Sequence, residues 1–138
     1  MQGEASILVM CHTRELAYQI KNEFARFTKY MPEVKTAAFI GGTKLQEDYD
    51  IIANKDTFPN VVVATPGRMN FLTREKKIRL NNIKVFVLDE CDKMLDQIGM
   101  TPTPYCSLTS WLSRYYRHAP RRPRYLPSYA NPKASHDV

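Results

Sequence analysis

The chain has 138 residues, of which 43% are hydrophobic and 25% charged. These values match an ordinary soluble globular protein, and the length suits one domain with its own core. The apolar run near the start, Ile7 to Cys11, is far too short for a membrane span or a signal sequence. The composition therefore predicts a cytosolic or nuclear protein with no membrane segment.

The net charge of +6 is unevenly distributed along the chain. Residues 1–100 carry 14 basic and 13 acidic side chains, whereas residues 101–138 carry six and one. The basic character that would suggest nucleic-acid binding therefore belongs mostly to the last segment.

The cysteines are three in number, at positions 11, 91 and 106, and no two share a C-x-x-C spacing. An odd number without metal-ligand spacing predicts free thiols in a reducing compartment, and it argues against a disulfide or a zinc site.

The first hundred residues alternate short apolar runs with helical periodicity. The predicted strands are 6–11, 35–40, 60–64 and 83–88. The predicted helices are 13–30, 45–54, one that begins after residue 65, and one that begins over 92–97. In the first helix the spacing of Leu16, Ile20, Phe24 and Phe27 places them on one face. Apolar strands separated by helices predict an α/β fold with a parallel sheet covered on both faces.

The last segment, residues 101–138, differs in composition from the rest. It contains six of the nine prolines and five of the eight tyrosines, and it has no sustained apolar period. Such a sequence buries too little apolar surface to offset its chain entropy. We therefore predict one domain over residues 1–100 and a disordered basic tail over 101–138.

The acidic sequence V-L-D-E-C-D at residues 87–92 ends the last predicted strand. Ligands of α/β sheets bind beyond the carboxyl ends of the strands, where Asp89, Glu90 and Asp92 would lie. One carboxylate there can hold Mg²⁺ against the phosphates of a nucleotide, and a second can orient or activate the attacking water. A solvated acidic turn that caps a helix explains this sequence equally well when it is taken alone.

Three further motifs follow strands and so belong to the same edge of the sheet: T-R-E-L-A at 13–17, G-G at 41–42 and T-P-G-R at 65–68. Helix N-termini and glycine turns present N–H groups to anions, and Arg14 and Arg68 add positive charge. A solvated arginine, a plain turn and ordinary helix capping would explain them one by one. Together, on one edge, the motifs favour an anion-binding function.

In this order the motifs resemble the first RecA-like domain of DEAD-box RNA helicases over residues 6–98. The D-E-C-D sequence and its surroundings resemble the D-E-C-D subfamily, which acts in spliceosome assembly and mRNA export. The resemblance implies a parallel-sheet RecA-like (P-loop NTPase) fold, ATP and Mg²⁺ as cofactors, RNA as substrate, splicing and mRNA-export proteins as partners, and a nuclear location.

The resemblance also implies roles for individual residues. Asp89 would bind Mg²⁺ through water, Glu90 would position or activate the hydrolytic water, and Asp92 would couple the nucleotide site to RNA. The residues implied to hold the RNA backbone are Thr13, Arg14, Gly42, Thr65, Gly67 and Arg68. Contacts of this kind are largely independent of base sequence.

Other motifs of that family have no counterpart among these 138 residues. None of the five glycines precedes a lysine, so the phosphate loop G-x-x-x-x-G-K-[ST] is missing. The glutamine motif, the S-A-T motif and the second RecA-like domain have no counterpart either. We therefore expect a helicase fragment that is truncated at both ends and inactive alone. The alternative is a non-catalytic module that binds RNA weakly. We also expect strand 83–88 to lack a neighbour and to leave an open, aggregation-prone edge.

The 138-residue chain is expected to show no RNA-stimulated ATP hydrolysis. Its sequence contains Asp89 and Glu90 but no glycine-lysine pair to hold the β- and γ-phosphates. Phosphate release measured with and without RNA checks this, with Glu90→Gln as the matched control. Turnover above that control would reveal a nucleotide site of another kind.

Overall fold

The computed structural model describes residues 5–79 and 81–90, Lys93, and the backbone of residues 124–127. The described strands are β1 (Ile7–Met10), β2 (Thr36–Phe39), β3 (Val61–Ala64), β4 (Val85–Leu88) and β5 (Arg124–Pro127). The described helices are α1 (Arg14–Phe27), α2 (Leu45–Ala53) and α3 (Pro66–Arg74). The strands form one sheet in the order β2-β3-β1-β4-β5, and every pairing is parallel.

The register of the sheet aligns the carboxyl ends of its first four strands. Met10 at the end of β1 pairs with Ala64 of β3 and with Leu88 of β4, and Ala64 pairs with Phe39 of β2. The chain therefore leaves all four strands at the same level of the sheet. The loops that follow them meet along one edge.

Both faces of the sheet are covered, as near-continuous apolar strands require. One face packs Val9, Val63 and Ile40 against Ala17 of α1. The other face packs a larger cluster, which includes Phe39, Phe86, Met69 and Leu72, with apolar side chains of α2 beside it. The inner strand β3, between β2 and β1, is buried at all four positions, so it has no polar side.

Capping residues explain where α1 begins and ends. Thr13 lies just before the helix, and its Oγ1 accepts a hydrogen bond from the Leu16 backbone N–H at 3.2 Å. The helix ends at Phe27, where the Thr28 hydroxyl donates to the Phe24 carbonyl at 2.8 Å. It therefore ends three residues before residue 30, the predicted end of this helix.

The predicted order of four strands and three helices over the first 90 residues is confirmed, with each strand one or two residues shorter than expected. The helix predicted to begin over 92–97 falls outside the described residues, apart from Lys93, which is helical. No helix in the described ranges is both long enough and apolar enough to cross a membrane.

Strand β5 lies within residues 101–138, the segment predicted to be disordered, and its four residues depart from that prediction. Arg124–Pro127 pairs with β4 in parallel, with Val85 opposite Arg124 and Leu88 opposite Pro127. The other tail residues lie outside the described part of the chain. The expectation of an open edge at β4 is wrong, because β4 pairs with β1 on one side and with β5 on the other. The unpaired N–H and C=O groups along the edge of an apolar strand favour pairing with any extended segment that can reach them.

The pairing with β5 gives a test at individual amides. The N–H groups of Val85 and Asp89 donate to β1 at 3.2 and 2.9 Å, so the alternate groups of Phe86 and Leu88 point toward β5. Removing residues 120–138 is expected to raise hydrogen exchange at Phe86 and Leu88 by about tenfold, with self-association through the freed edge. The control removes residues 128–138 only. Equal exchange in the two truncated chains would contradict the pairing.

Candidate functional site

Backbone hydrogen bonds continue past the strand ends and hold the first residue of the loops that follow β1, β3 and β4. Cys11 N–H donates to the Ala64 carbonyl at 3.1 Å, and Thr65 N–H donates to the Phe39 carbonyl at 3.1 Å. Asp89 N–H donates to the Met10 carbonyl at 2.9 Å. The predicted site segments are therefore held to neighbouring strands rather than carried on free loops.

Gly42 has a left-handed backbone with φ of +88°, which favours glycine. A Cβ at this position would lie 2.7 Å from Cζ and 2.9 Å from Nη2 of Arg14. The guanidinium of Arg14, an exposed residue, therefore occupies the space above the glycine. Two of the predicted RNA-binding residues are brought together by this approach.

Thr65 joins the glycine turn to the start of α3. It is the N-cap residue of α3, but its side chain makes no capping hydrogen bond. Its Oγ1 instead accepts a hydrogen bond from the Gly41 backbone N–H at 3.3 Å. Pro66 occupies the first helical position, where its lack of an N–H costs nothing because that group would have no partner within the helix.

Arg68 is buried, although the sequence suggested a cation that faces a ligand. Its Nη1 donates to Asp48 Oδ2 at 2.8 Å, and the two side chains are only 6% and 4% exposed. Its Nη2 donates to the Thr43 carbonyl at 2.7 Å and contacts Thr43 Oγ1 at 3.3 Å. The guanidinium thus connects α3 to both α2 and the turn that precedes α2.

These residues surround an open groove of about 550 Å³. It is lined by His12, Arg14, Gly41, Thr43, Leu45, Thr65, Pro66, Gly67, Arg68 and Phe71. The groove combines an exposed arginine, a glycine turn and the N-terminus of α3, which are features that attract phosphate groups. Gly67 has open space around its Cα, so a ligand can approach the backbone there.

The acidic residues lie beside this groove, after β4. The Asp89 carboxylate accepts a hydrogen bond from the Glu90 N–H at 3.1 Å. Glu90 has a φ of +48°, an uncommon conformation for a residue other than glycine and one that is often found at functional sites. Its side chain lies 2.9 Å from Lys93 Nζ. Asp92 falls outside the described residues.

His12 is the second close contact of Glu90. Its Nδ1 lies 2.9 Å from Glu90 Oε2, although the two atoms do not have hydrogen-bond geometry. The contact is therefore a close electrostatic approach. His12 lies one residue before Thr13, so it connects the acidic residues to the T-R-E-L-A motif.

The negative charge of the acidic residues reaches the end of β1. Burial, together with the smaller effect of the negative charges of Asp89 and Glu90, raises the pKa of the Cys11 thiol to about 12. The thiol is buried and free, as predicted, and it is protonated at neutral pH. The field of two nearby carboxylates is one that a divalent cation would neutralise.

Sequence reasoning missed three residues of this site: Thr43, Asp48 and His12. Asp48 belongs to a run of polar residues at the start of α2, and nothing in its spacing connects it to Arg68, 20 positions later. Its only signal is the helical period, which places it between Leu45 and Ile52 rather than on the outer face.

A family model described as DEAD/DEAH box helicase matches residues 1–111, which is most of the chain. The chain belongs to the DEAD/DEAH box helicase family. This confirms the resemblance that the motifs carried, and the parallel α/β sheet is the RecA-like fold of that family.

Curated ATP-dependent RNA helicases are highly similar to this chain over its first part. The ATP-dependent RNA helicase sub2 of Emericella nidulans is 70% identical over 98 residues, which are 71% of this chain and 23% of the relative. The ATP-dependent RNA helicase SUB2 of Coccidioides immitis is 72% identical over 98 residues, 71% of this chain and 22% of the relative. The chain thus spans less than a quarter of the length of these relatives.

Two solved structures share the fold. The yeast DEAD-box splicing factor Prp28 superposes with a TM-score of 0.74 at 25% identity, over 93% of this chain and 28% of that one. A hypothetical ATP-dependent RNA helicase from Sulfolobus tokodaii superposes with a TM-score of 0.65 at 28% identity, over 79% and 30%.

The glycine turn of this DEAD-box chain gives a stability prediction. Gly42→Ala is expected to destabilise the fold by about 1–3 kcal/mol, because alanine is strained at this positive φ. The arginine is flexible and can move aside, so contact with it adds little to that cost. The neighbouring Gly41→Ala is the matched control, since a Cβ there meets nothing within 4 Å. Urea unfolding curves with equal midpoints for the two variants would contradict this account.

Proposed function

We propose that this chain is the part of an ATP-dependent RNA helicase that binds the RNA backbone and contributes the acidic residues of the ATPase site. The observation that carries the proposal is the convergence of four motifs at one edge of the sheet, in the register of Met10, Phe39, Ala64 and Leu88. The relatives named above are ATP-dependent RNA helicases.

The groove is suited to a sugar-phosphate backbone rather than to bases. Its exposed cation is Arg14, its floor includes Gly41 and Gly67, and α3 begins there at Pro66. Backbone N–H groups and an arginine recognise phosphate oxygens, which are the same at every nucleotide. We therefore infer that single-stranded RNA binds with little sequence preference, and that Thr13 and Thr65 act by holding α1 and the glycine turn in place.

The acidic residues fit Mg²⁺, which prefers oxygen ligands and keeps several waters. Asp89 is fixed at the strand end through its backbone, and Glu90 lies next to it. The described residues contain no group of three or more potential metal ligands, so an ion held by Asp89 would complete its coordination with water and with phosphates of ATP. Bound Mg²⁺ would neutralise phosphate charge. Glu90, held between His12 and Lys93, would orient water.

We propose that the full-length protein acts in pre-mRNA splicing and mRNA export, in the nucleus, with proteins of those pathways as partners. Two observations support this: the identity of about 70% to Sub2 helicases, and the likeness to a protein described as a splicing factor. The D-E-C-D sequence at 89–92 also resembles the subfamily that acts in those processes.

Binding of unstructured RNA is expected to be weak, insensitive to base sequence and reduced by salt, because each phosphate contact releases counterions. Arg14→Gln should lower the slope of log affinity against log salt by about 0.7, the value for one phosphate contact on a single strand. Changing Arg114, Arg117, Arg121 and Arg122 to glutamine should lower it by up to about 3.

Fluorescence anisotropy with labelled homopolymers, at several salt concentrations, measures these slopes. A strong preference for one homopolymer would oppose a backbone-reading groove. Loss of all binding in the tail variant, with no effect of Arg14→Gln, would assign RNA binding to the tail alone.

A further inference from the structure

We infer that Asp48 and Arg68 are positioning residues, which hold the Gly41–Thr43 turn in its RNA-binding shape, and that Arg68 is not itself a phosphate ligand. This inference rests on the proposed RNA-binding function and assigns the work within it. Arg14 is then the arginine of the groove that contacts phosphate.

Arg68 is a buried arginine whose hydrogen bonds are made to the protein itself. Its side chain is 6% exposed, and its two terminal nitrogens donate to Asp48 and to the Thr43 carbonyl at 2.8 and 2.7 Å. These bonds direct the guanidinium toward the protein, and its burial leaves the remaining N–H groups little access to a phosphate in the groove. Arg14 is exposed and meets no such restriction.

The two partners of Arg68 lie at the end of the glycine turn and in the helix that follows it. Thr43 is the last residue of the glycine turn, and Asp48 lies in the first turn of α2 directly after it. Arg68 therefore holds the outgoing end of the turn, while Thr65 holds its start through Gly41 N–H at 3.3 Å. Both contacts come from the first residues of α3. The turn is fixed at both ends to one rigid element, which leaves Gly42 between them under Arg14.

Burial of the Asp48–Arg68 ion pair has a desolvation cost. Burial and the charge of Glu47 raise the pKa of the Asp48 carboxyl, while the charge and the hydrogen bond of Arg68 lower it, and the net direction is upward. Buried ion pairs commonly recover little more than their own desolvation cost. A pair of this kind adds little net stability but fixes geometry. The pair is therefore suited to a role in positioning.

The experiment compares Arg68→Lys, Asp48→Asn and Arg14→Gln in the full 138-residue chain. Lysine keeps the charge but can reach only one of the two partners. Positioning predicts that Arg68→Lys and Asp48→Asn each bind unstructured RNA about fivefold more weakly, the equivalent of one displaced hydrogen bond, with an unchanged salt slope. Arg14→Gln should lower the slope by about 0.7. If Arg68 contacted phosphate, Asp48→Asn would release it, and binding would be equal or tighter.

A second readout separates local from global effects and needs no RNA. Amide chemical shifts of Gly41 and Gly42 should move in Arg68→Lys and Asp48→Asn, while those of Val62 and Val63 in β3 stay in place. The double variant Asp48→Leu/Arg68→Met removes both charges and should keep the β3 shifts, because neutral replacement of a whole buried pair is tolerated. It should still lose RNA affinity.

The outcomes distinguish this inference from the proposed function. If the parent chain shows no salt-dependent RNA binding, the proposed function and the RNA part of the inference fail together. If the parent binds but Asp48→Asn binds as well or better, RNA binding stands and the positioning role is wrong. Full RNA affinity in the double variant would also contradict the positioning role, because the turn would then keep its shape without the ion pair.

Discussion

The parallel register of four strands is the constraint on which the rest of this structure depends. Met10, Ala64, Phe39 and Leu88 end their strands at one level, and the hydrogen-bond ladder continues beyond them to Cys11, Thr65 and Asp89. The strands are apolar and lie between two helical layers, so a slip of one residue would exchange their two buried faces. The packing that fixes the register therefore also fixes the spacing of the functional residues.

Much of this arrangement could be predicted from sequence, because it follows from local patterns. Four apolar runs separated by helical periods specify a parallel sheet, and parallel strands place the segments after them on one edge. The direction in which a side chain points is a different matter. The T-P-G-R motif predicts a ligand-facing cation at Arg68, and its ion pair with Asp48 is visible only once α2 and α3 are packed on the same face.

The tail shows a second limit of sequence reasoning. Its proline- and tyrosine-rich composition has no period, so nothing in it predicts Arg124–Pro127 as a strand. Pairing at a sheet edge depends on backbone N–H and C=O groups, which every residue but proline carries in full. The open side of β4 can therefore pair with an extended segment of almost any composition. The prediction for the tail rested on composition, so it could not identify this strand.

The two halves of the site meet at the end of β1. His12 contacts Glu90 at 2.9 Å, Thr13 caps α1, and Arg14 lies over Gly42, so three consecutive residues join the acidic residues to the groove. The glycine turn at the groove is held by hydrogen bonds from Thr65 and Arg68, whereas Glu90 has a positive φ and contacts His12 and Lys93 through its side chain. Glu90 is therefore linked through His12 to the segment that carries Arg14, whereas the glycine turn beneath Arg14 is bonded to Thr65 and α3.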